Sequence, residues 1–199
     1  MIRRKIPRPG APKAILVVLI PLIAVAVLAW PLVYLWPRVQ CFTAAGGLVC
    51  NGEAVMREGV AMGIEEEGIV AALVAGLQET GLRNLANPRV PETLGLPHDG
   101  LAADHRAVGI LALNEQWGTP AELMSPDAAA RKWFTAMRGI AGWQAMAPQQ
   151  VAAAVMHSAL PDTYTGRLDE ARQFYRKHLD AVTCFRCYRT PTFADRPVR

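Results

Sequence analysis

The pattern of apolar and polar positions splits the chain into one uncharged stretch followed by a series of helical periodicities. From Ala14 to Trp36 no residue is charged. At about 1.5 Å per residue, a helix of that length crosses the roughly 30 Å hydrocarbon core of a bilayer. Pro21 and Pro31 would bend it, which membrane helices tolerate. Beyond it, Asn51 is placed to cap a short helix over Gly52 to Ala61, interrupted near Gly63. A second helix, roughly Glu65 to Thr80, opens with three acids that suit its positive N-terminus and buries Ile69, Leu73, Gly76 and Leu77. Ser125-Pro126-Asp127 is a helix start, with serine as cap and proline in the first turn, and Trp133, Phe134 and Met137 fall on the inner face before Gly139. Pro148 opens a further helix through Val151, Val155 and Met156, ending before Pro161. The last runs from about Leu168 to Val182, with Phe174 and Tyr175 inward. Strand-like alternation is nearly absent, so the pattern predicts an all-α domain.

Between Leu82 and Ser125 lies a long connection rich in Gly, Pro, Asn and Asp. Connections of this length inside a compact domain are usually functional or disordered. This one carries the apolar run Val108 to Leu113 and then Trp117, which predicts that it packs back onto the helices as an ordered groove wall. The resulting division is a basic leader (1–13), a transmembrane helix (14–36), a tether (37–51), a helical domain (52–183) and a cysteine-containing tail (184–199).

Charge changes the picture less than the total suggests. The chain has 21 Lys+Arg and 17 Asp+Glu, a net +4. Arg3, Arg4, Lys5, Arg8 and Lys13 precede the apolar stretch, so the remainder is nearly neutral. That balance argues against nucleic acid as a partner, while the leader suits the cytoplasmic side and anionic lipid. The expected topology is a single-pass anchor in the cell membrane, with everything after Arg38 outside. A cleaved signal peptide is the competing reading, but the apolar run continues past both imperfect cleavage sites to Trp36.

All four cysteines then face an oxidising exterior. Cys41 and Cys50 bracket a short Gly-containing loop whose closure would contribute about 2–3 kcal/mol. Cys41–Cys50 with Cys184–Cys187 is the preferred pairing among three. The Cys184-Phe185-Arg186-Cys187 spacing also fits a redox motif or half a zinc site, but it follows a helix where redox pairs precede one. His178 adds only a third ligand, and His98, Asp99, Asp104 and His105 read first as solvated loop polarity. Neither a metal nor a cofactor is expected.

Glu79 is the residue with the most chemical content. It ends the second helix in Leu77-Gln78-Glu79-Thr80-Gly81-Leu82. A helix C-terminus carries partial negative charge, and flanking leucines would take the carboxyl out of water; both favour the protonated form. A carboxyl that keeps its proton can protonate a leaving glycosidic oxygen. The alternative is a solvated glutamate on the polar face of the helix.

The residues around it resemble a family. Gln78 to Leu85, Leu96-Pro97-His98-Asp99-Gly100, Asp104-His105, Val108-Gly109-Ile110 and Trp117-Gly118-Thr119-Pro120 are similar, in order and spacing, to the lysozyme-like, lytic-transglycosylase-like domains of actinobacterial exported proteins. The similarity continues through Ala129 to Phe134, Ala141-Gly142-Trp143-Gln144 and Ser158 to Tyr164, covering roughly residues 52–178. The resemblance implies a lysozyme-like helical fold that cleaves the β-1,4 bond of peptidoglycan glycan strands, with Glu79 as the catalytic acid and Thr80 beside it at the substrate. A transglycosylase needs only that carboxyl, whereas a hydrolase wants a second within about 5–10 Å; Asp99 and Asp104 are the candidates.

One segment departs from the family pattern. Where the family has Ser-Val-Gly-Ile-Phe-Gln-Gln, this chain has Ala107 to Leu113 ending Leu111-Ala112-Leu113, without the two glutamines that line the sugar groove. Asn114, Glu115 and Gln116 follow as substitutes. A groove of Leu and Ala would leave sugar hydroxyls without hydrogen bonds. Trp117 and Tyr164, in loops flanking the groove, are the expected sugar-stacking residues, while Trp133 and Trp143 are expected in the core. His157 is expected as a surface or core histidine. Two readings follow: a membrane-anchored peptidoglycan lyase or muramidase, or a catalytically degenerate module that binds glycan or a protein of a secretion or conjugation assembly.

Overall fold

The computed structural model describes residues 47–103 and 105–183. The leader, the expected span 14–36, Cys41, Asp104, Cys184, Cys187 and the tail lie outside the described residues. Among those described, no helix is long and apolar enough to cross a membrane.

The domain is mostly helical. Its helices are α1 (Gly47–Ala61), α2 (Glu66–Glu79), the short α3 (Pro120–Leu123), α4 (Pro126–Arg138), α5 (Pro148–Val155) and α6 (Leu168–Thr183). Helix α2 is central. Every residue from Gly68 to Leu77 is buried, and α1, α4, α5 and α6 all pack against it. The sequence predicts one inward face for this helix; instead Val70, Ala71, Ala72, Val74 and Ala75 are as buried as Ile69 and Leu73. A helix apolar on all sides can only sit inside a bundle. Small residues make that possible, since a Cβ on Gly68 would meet Ile64 at 2.6 Å and one on Gly76 would meet Leu82 at 2.6 Å.

Helix α1 starts five residues before its expected first position, so Gly47, Leu48 and Val49 belong to it and not to a loop. Asn51 therefore does not cap the helix. It lies inside α1, 5 % exposed, and its Nδ2 donates to Leu82 O (2.8 Å) and Asp99 Oδ2 (2.7 Å). Cys50, in the first turn, is disulfide-bonded; the other three cysteines lie outside the described residues, and the expected pairing with them. Helix α4 begins at Pro126 as its signal predicts, although Ser125 makes no side-chain cap. Trp133 and Phe134 pack edge to face at 5.6 Å in the core. On α6, Tyr175 is buried, whereas Phe174 is half-buried and stacks on His178, whose Nδ1 pairs with Glu53 Oε1 at 2.9 Å.

The long connection is ordered and carries the small amount of strand that the pattern does not reveal. Strand β1 (Leu85–Ala86) pairs in parallel with β2 (Gly100–Leu101), Leu85 opposite Gly100. Gly109 N donates to Leu85 O (2.9 Å), and Val108 and Leu113 exchange hydrogen bonds of 2.9 and 3.0 Å, closing the apolar run into a tight turn. Val108, Ile110, Leu111 and Leu113 face the core. Two-residue strands are too short to show alternation, which is why the periodicity misses them.

Asn51 joins α1 to this connection, because Asp99 Oδ2 also accepts from Asn84 N (2.8 Å). Removing the amide leaves a buried carbonyl and a carboxylate oxygen each short of a donor. Asn51→Ala is expected to lower the unfolding free energy by about 1–3 kcal/mol in urea denaturation.

Candidate active site

The end of α2 is built by a glycine cap. Thr80 closes the helix, Gly81 follows at φ +65 and Leu82 at φ +59. Gly81 N donates to Leu77 O (3.2 Å), the single bond of an αL cap, and Leu82 N donates to Gly76 O (3.0 Å), satisfying two of the last carbonyls. The reversal drives Leu82 back onto the helix, where it is fully buried over Gly76. Thr80 Oγ1 donates to Ile110 O (2.7 Å), fixing the helix end against the Val108–Leu113 turn. Thr80 lines the pocket, but its hydroxyl serves the fold.

Glu79 is thereby turned outward. Leu77 and Leu82 lie in the core and do not cover it; the carboxyl is exposed in a pocket of about 1270 Å³. The expectation of desolvation by its sequence neighbours is corrected on this point, because the helical period turns Leu77 about 200° away from Glu79 and the cap folds Leu82 back onto Gly76. Its partner is distant in sequence. Tyr164, in the short 3-10 segment Pro161–Arg167, donates its phenolic proton to Glu79 Oε1. Burial, then the hydrogen bond and the charge of Glu79, hold the Tyr164 phenol above its ordinary range. Tyr164 is 2 % exposed, so its ring has no face to offer a sugar. Its placement is that of a group that fixes one carboxylate oxygen.

The other predicted residues separate. Asn114 lines the pocket, and its Oδ1 accepts from Gln116 N (3.1 Å) in a tight turn. That turn carries Gln116 into solvent and Trp117 against the core, and neither lines the pocket. Asp99 is spent on Asn51 and Asn84 and is not available as a second carboxylate. Among the described residues the other acid lining the pocket is Glu115, ion-paired with Arg106 at 3.5 Å. Leu111 and Leu113 are buried, so of Leu111, Ala112 and Leu113 only Ala112 reaches the pocket. The groove is accordingly more polar than an alignment of Leu and Ala implies. Trp133 and Trp143 are core residues, as expected. No group of three metal-binding side chains occurs among the described residues.

Arg89, His105, Arg106 and His157 also line the pocket, and sequence reasoning gave none of them a role there. His157 had one signal. It follows α5 at φ +50, with Ser158 N donating to Ala153 O (3.0 Å), the position where a helix ordinarily ends in glycine. A histidine in that conformation costs about 1 kcal/mol. Strain of this kind concentrates at functional sites, and His105 (φ +48) and Ala112 (φ +47) share both the conformation and the pocket.

Compared with known proteins, the chain matches no family model and no curated protein.

Two outcomes follow. His157→Gly is expected to raise stability by about 0.5–1 kcal/mol by relieving the positive φ, measured by chemical denaturation. The second concerns Tyr164. The unfolded chain releases its phenolic proton near pH 10, whereas the folded chain keeps it to higher pH. Its contribution to stability is thus intact below about pH 10 and is lost as pH rises beyond it. Tyr164→Phe is expected to flatten the alkaline fall in stability and to remove one late-ionising phenol from an ultraviolet titration.

Proposed function

We propose that the domain is a lysozyme-like module acting on the glycan strand of peptidoglycan, held at the outer face of the cell membrane by residues 14–36, and that Glu79 is its acid. The observation that carries this reading is a single exposed carboxylate at the end of a buried helix, facing a pocket large enough for sugar rings, with one oxygen held by a buried tyrosine. Tyr164 occupies Oε1 and leaves Oε2 for the substrate.

In the reaction, Glu79 gives its proton to the glycosidic oxygen as the C1–O bond breaks. The resulting carboxylate then takes the proton of the C6 hydroxyl while that oxygen bonds to C1, closing a 1,6-anhydro ring. No water and no second carboxylate enter. This single-acid route suits a pocket in which Asp99 is committed to Asn51 and Asn84 and Glu115 to Arg106.

A second reading has its own support. Ala112 stands on the pocket wall without a polar side chain, which weakens grip on sugar hydroxyls and suits a module that binds glycan or an envelope protein without cleaving. The two differ in product. Full-length chain incubated with purified peptidoglycan is expected to release anhydro-ended fragments, and Glu79→Gln to lower that release at least about a hundredfold. Equal release by the two proteins sinks the enzymatic reading; binding without release favours the second.

A further inference from the structure

The wall of the pocket contributed by the long connection carries cations. Arg89 and Arg106 are fixed positive charges beside one carboxylate, Glu115, and His105 adds a ring nitrogen; His157, which follows α5 and is not part of the connection, adds a second. The chain beyond residue 13 is close to neutral overall, so this grouping is not a consequence of composition. Arg106 is anchored twice, through Nη1 to Arg89 O (2.6 Å) and through Nε to Glu115 at 3.5 Å. No acid is ion-paired with the Arg89 guanidinium among the described residues; Asp104, between Ala103 and His105, lies outside them.

The wall is preassembled from behind by Asn87. This asparagine is 1 % exposed. Its Oδ1 accepts from Arg89 N (2.9 Å), and its Nδ2 donates to Ala107 O (3.0 Å) and His105 O (3.2 Å). Thr93, fully buried, holds Asn87 N through Oγ1 (3.0 Å). One buried amide therefore ties the backbone of Arg89 to that of His105 and Ala107, the residues on either side of Arg106. Burying an amide without partners is costly, and here Arg89, His105 and Ala107 are among the partners that offset it. Preorganised donors of positive charge favour an anionic group over a neutral one, because little ordering remains to be done on binding.

We propose that the wall formed by Arg89, His105 and Arg106, with His157, receives a carboxylate carried by the sugar chain while Glu79 faces the glycosidic oxygen. This rests on the glycan reading and deepens it: the wall is assigned as the part of the site that distinguishes the acidic strand from a neutral chain of the same linkage. The carboxylate has two sources in peptidoglycan, the lactyl group of a peptide-free strand or the stem of a peptide-bearing one.

Three ligands test this by calorimetry with the full-length Glu79→Gln chain, which binds without turnover, in detergent: chitohexaose, which is neutral, a peptide-free strand of the same length, and a peptide-bearing one. The acidic strands are expected to bind at least about tenfold more tightly than chitohexaose. That ratio is expected to shrink as salt rises, to fall about tenfold in Arg89→Gln and in Arg106→Gln, and to recover in part in Arg89→Lys. Preference for the peptide-free strand alone assigns the carboxylate to the lactyl group, and preference for the peptide-bearing strand alone assigns it to the stem. Equal binding of all three, unchanged in the variants, overturns this inference and leaves the glycan reading standing. Failure of all three to bind overturns both.

Discussion

Helix α2 is apolar on every side, and the rest of the domain is the answer to that constraint. Ten consecutive residues, Gly68 to Leu77, have no exposed face. Burial of aliphatic side chains at about 25 cal/mol per Å² favours wrapping the helix completely, and α1, α4, α5 and α6 do so. The helix must still end, and its last carbonyls must find donors. The Gly81–Leu82 reversal supplies them, and the Thr80 hydroxyl ties the helix end to Ile110 O. The first ionisable side chain beyond the buried stretch is Glu79, and it emerges at the pocket. The position of the candidate acid follows from where a buried helix is allowed to stop.

Around that fixed point, buried amides order the connection that forms the pocket wall. Asn51 and Asn84 converge on Asp99, Asn84 Nδ2 also reaches Pro97 O and Met124 O, and Asn87 ties Arg89 to His105 and Ala107. A segment with so little regular structure would otherwise leave its backbone groups unpaired. Exposed ion pairs such as Arg172–Glu67, with side chains 31 % and 49 % exposed, add little by comparison. Order in the wall thus depends on polar side chains facing inward, and the charged ones are left to face the pocket.

Most of the helical frame is legible in the sequence. Pro126 and Pro148 mark helix starts, the acids at Glu65 to Glu67 mark the entry to α2, and Thr80-Gly81 marks its end. The start of α1 is not, because Asn51 looks like a cap and is instead a buried cross-brace. The site was only partly readable. Glu79, Thr80, Asn114 and Tyr164 meet at one pocket, while Gln116 and Trp117 turn away from it and Asp99 is absorbed by the fold. Loop residues are assigned to a groove by proximity in sequence, but a turn such as Asn114–Trp117 sends neighbours in opposite directions.

The sequence by itself determined the mostly helical character, an apolar helix and the carboxylate at its end, because helical period, proline, glycine and charge act over one or two turns of chain. Tertiary structure alone decided which atoms Glu79 meets. Its hydrogen-bond partner is 85 residues away, and the cations facing the pocket come from a connection whose course depends on buried asparagines. Such contacts depend on how separate segments pack together, and no local pattern encodes that.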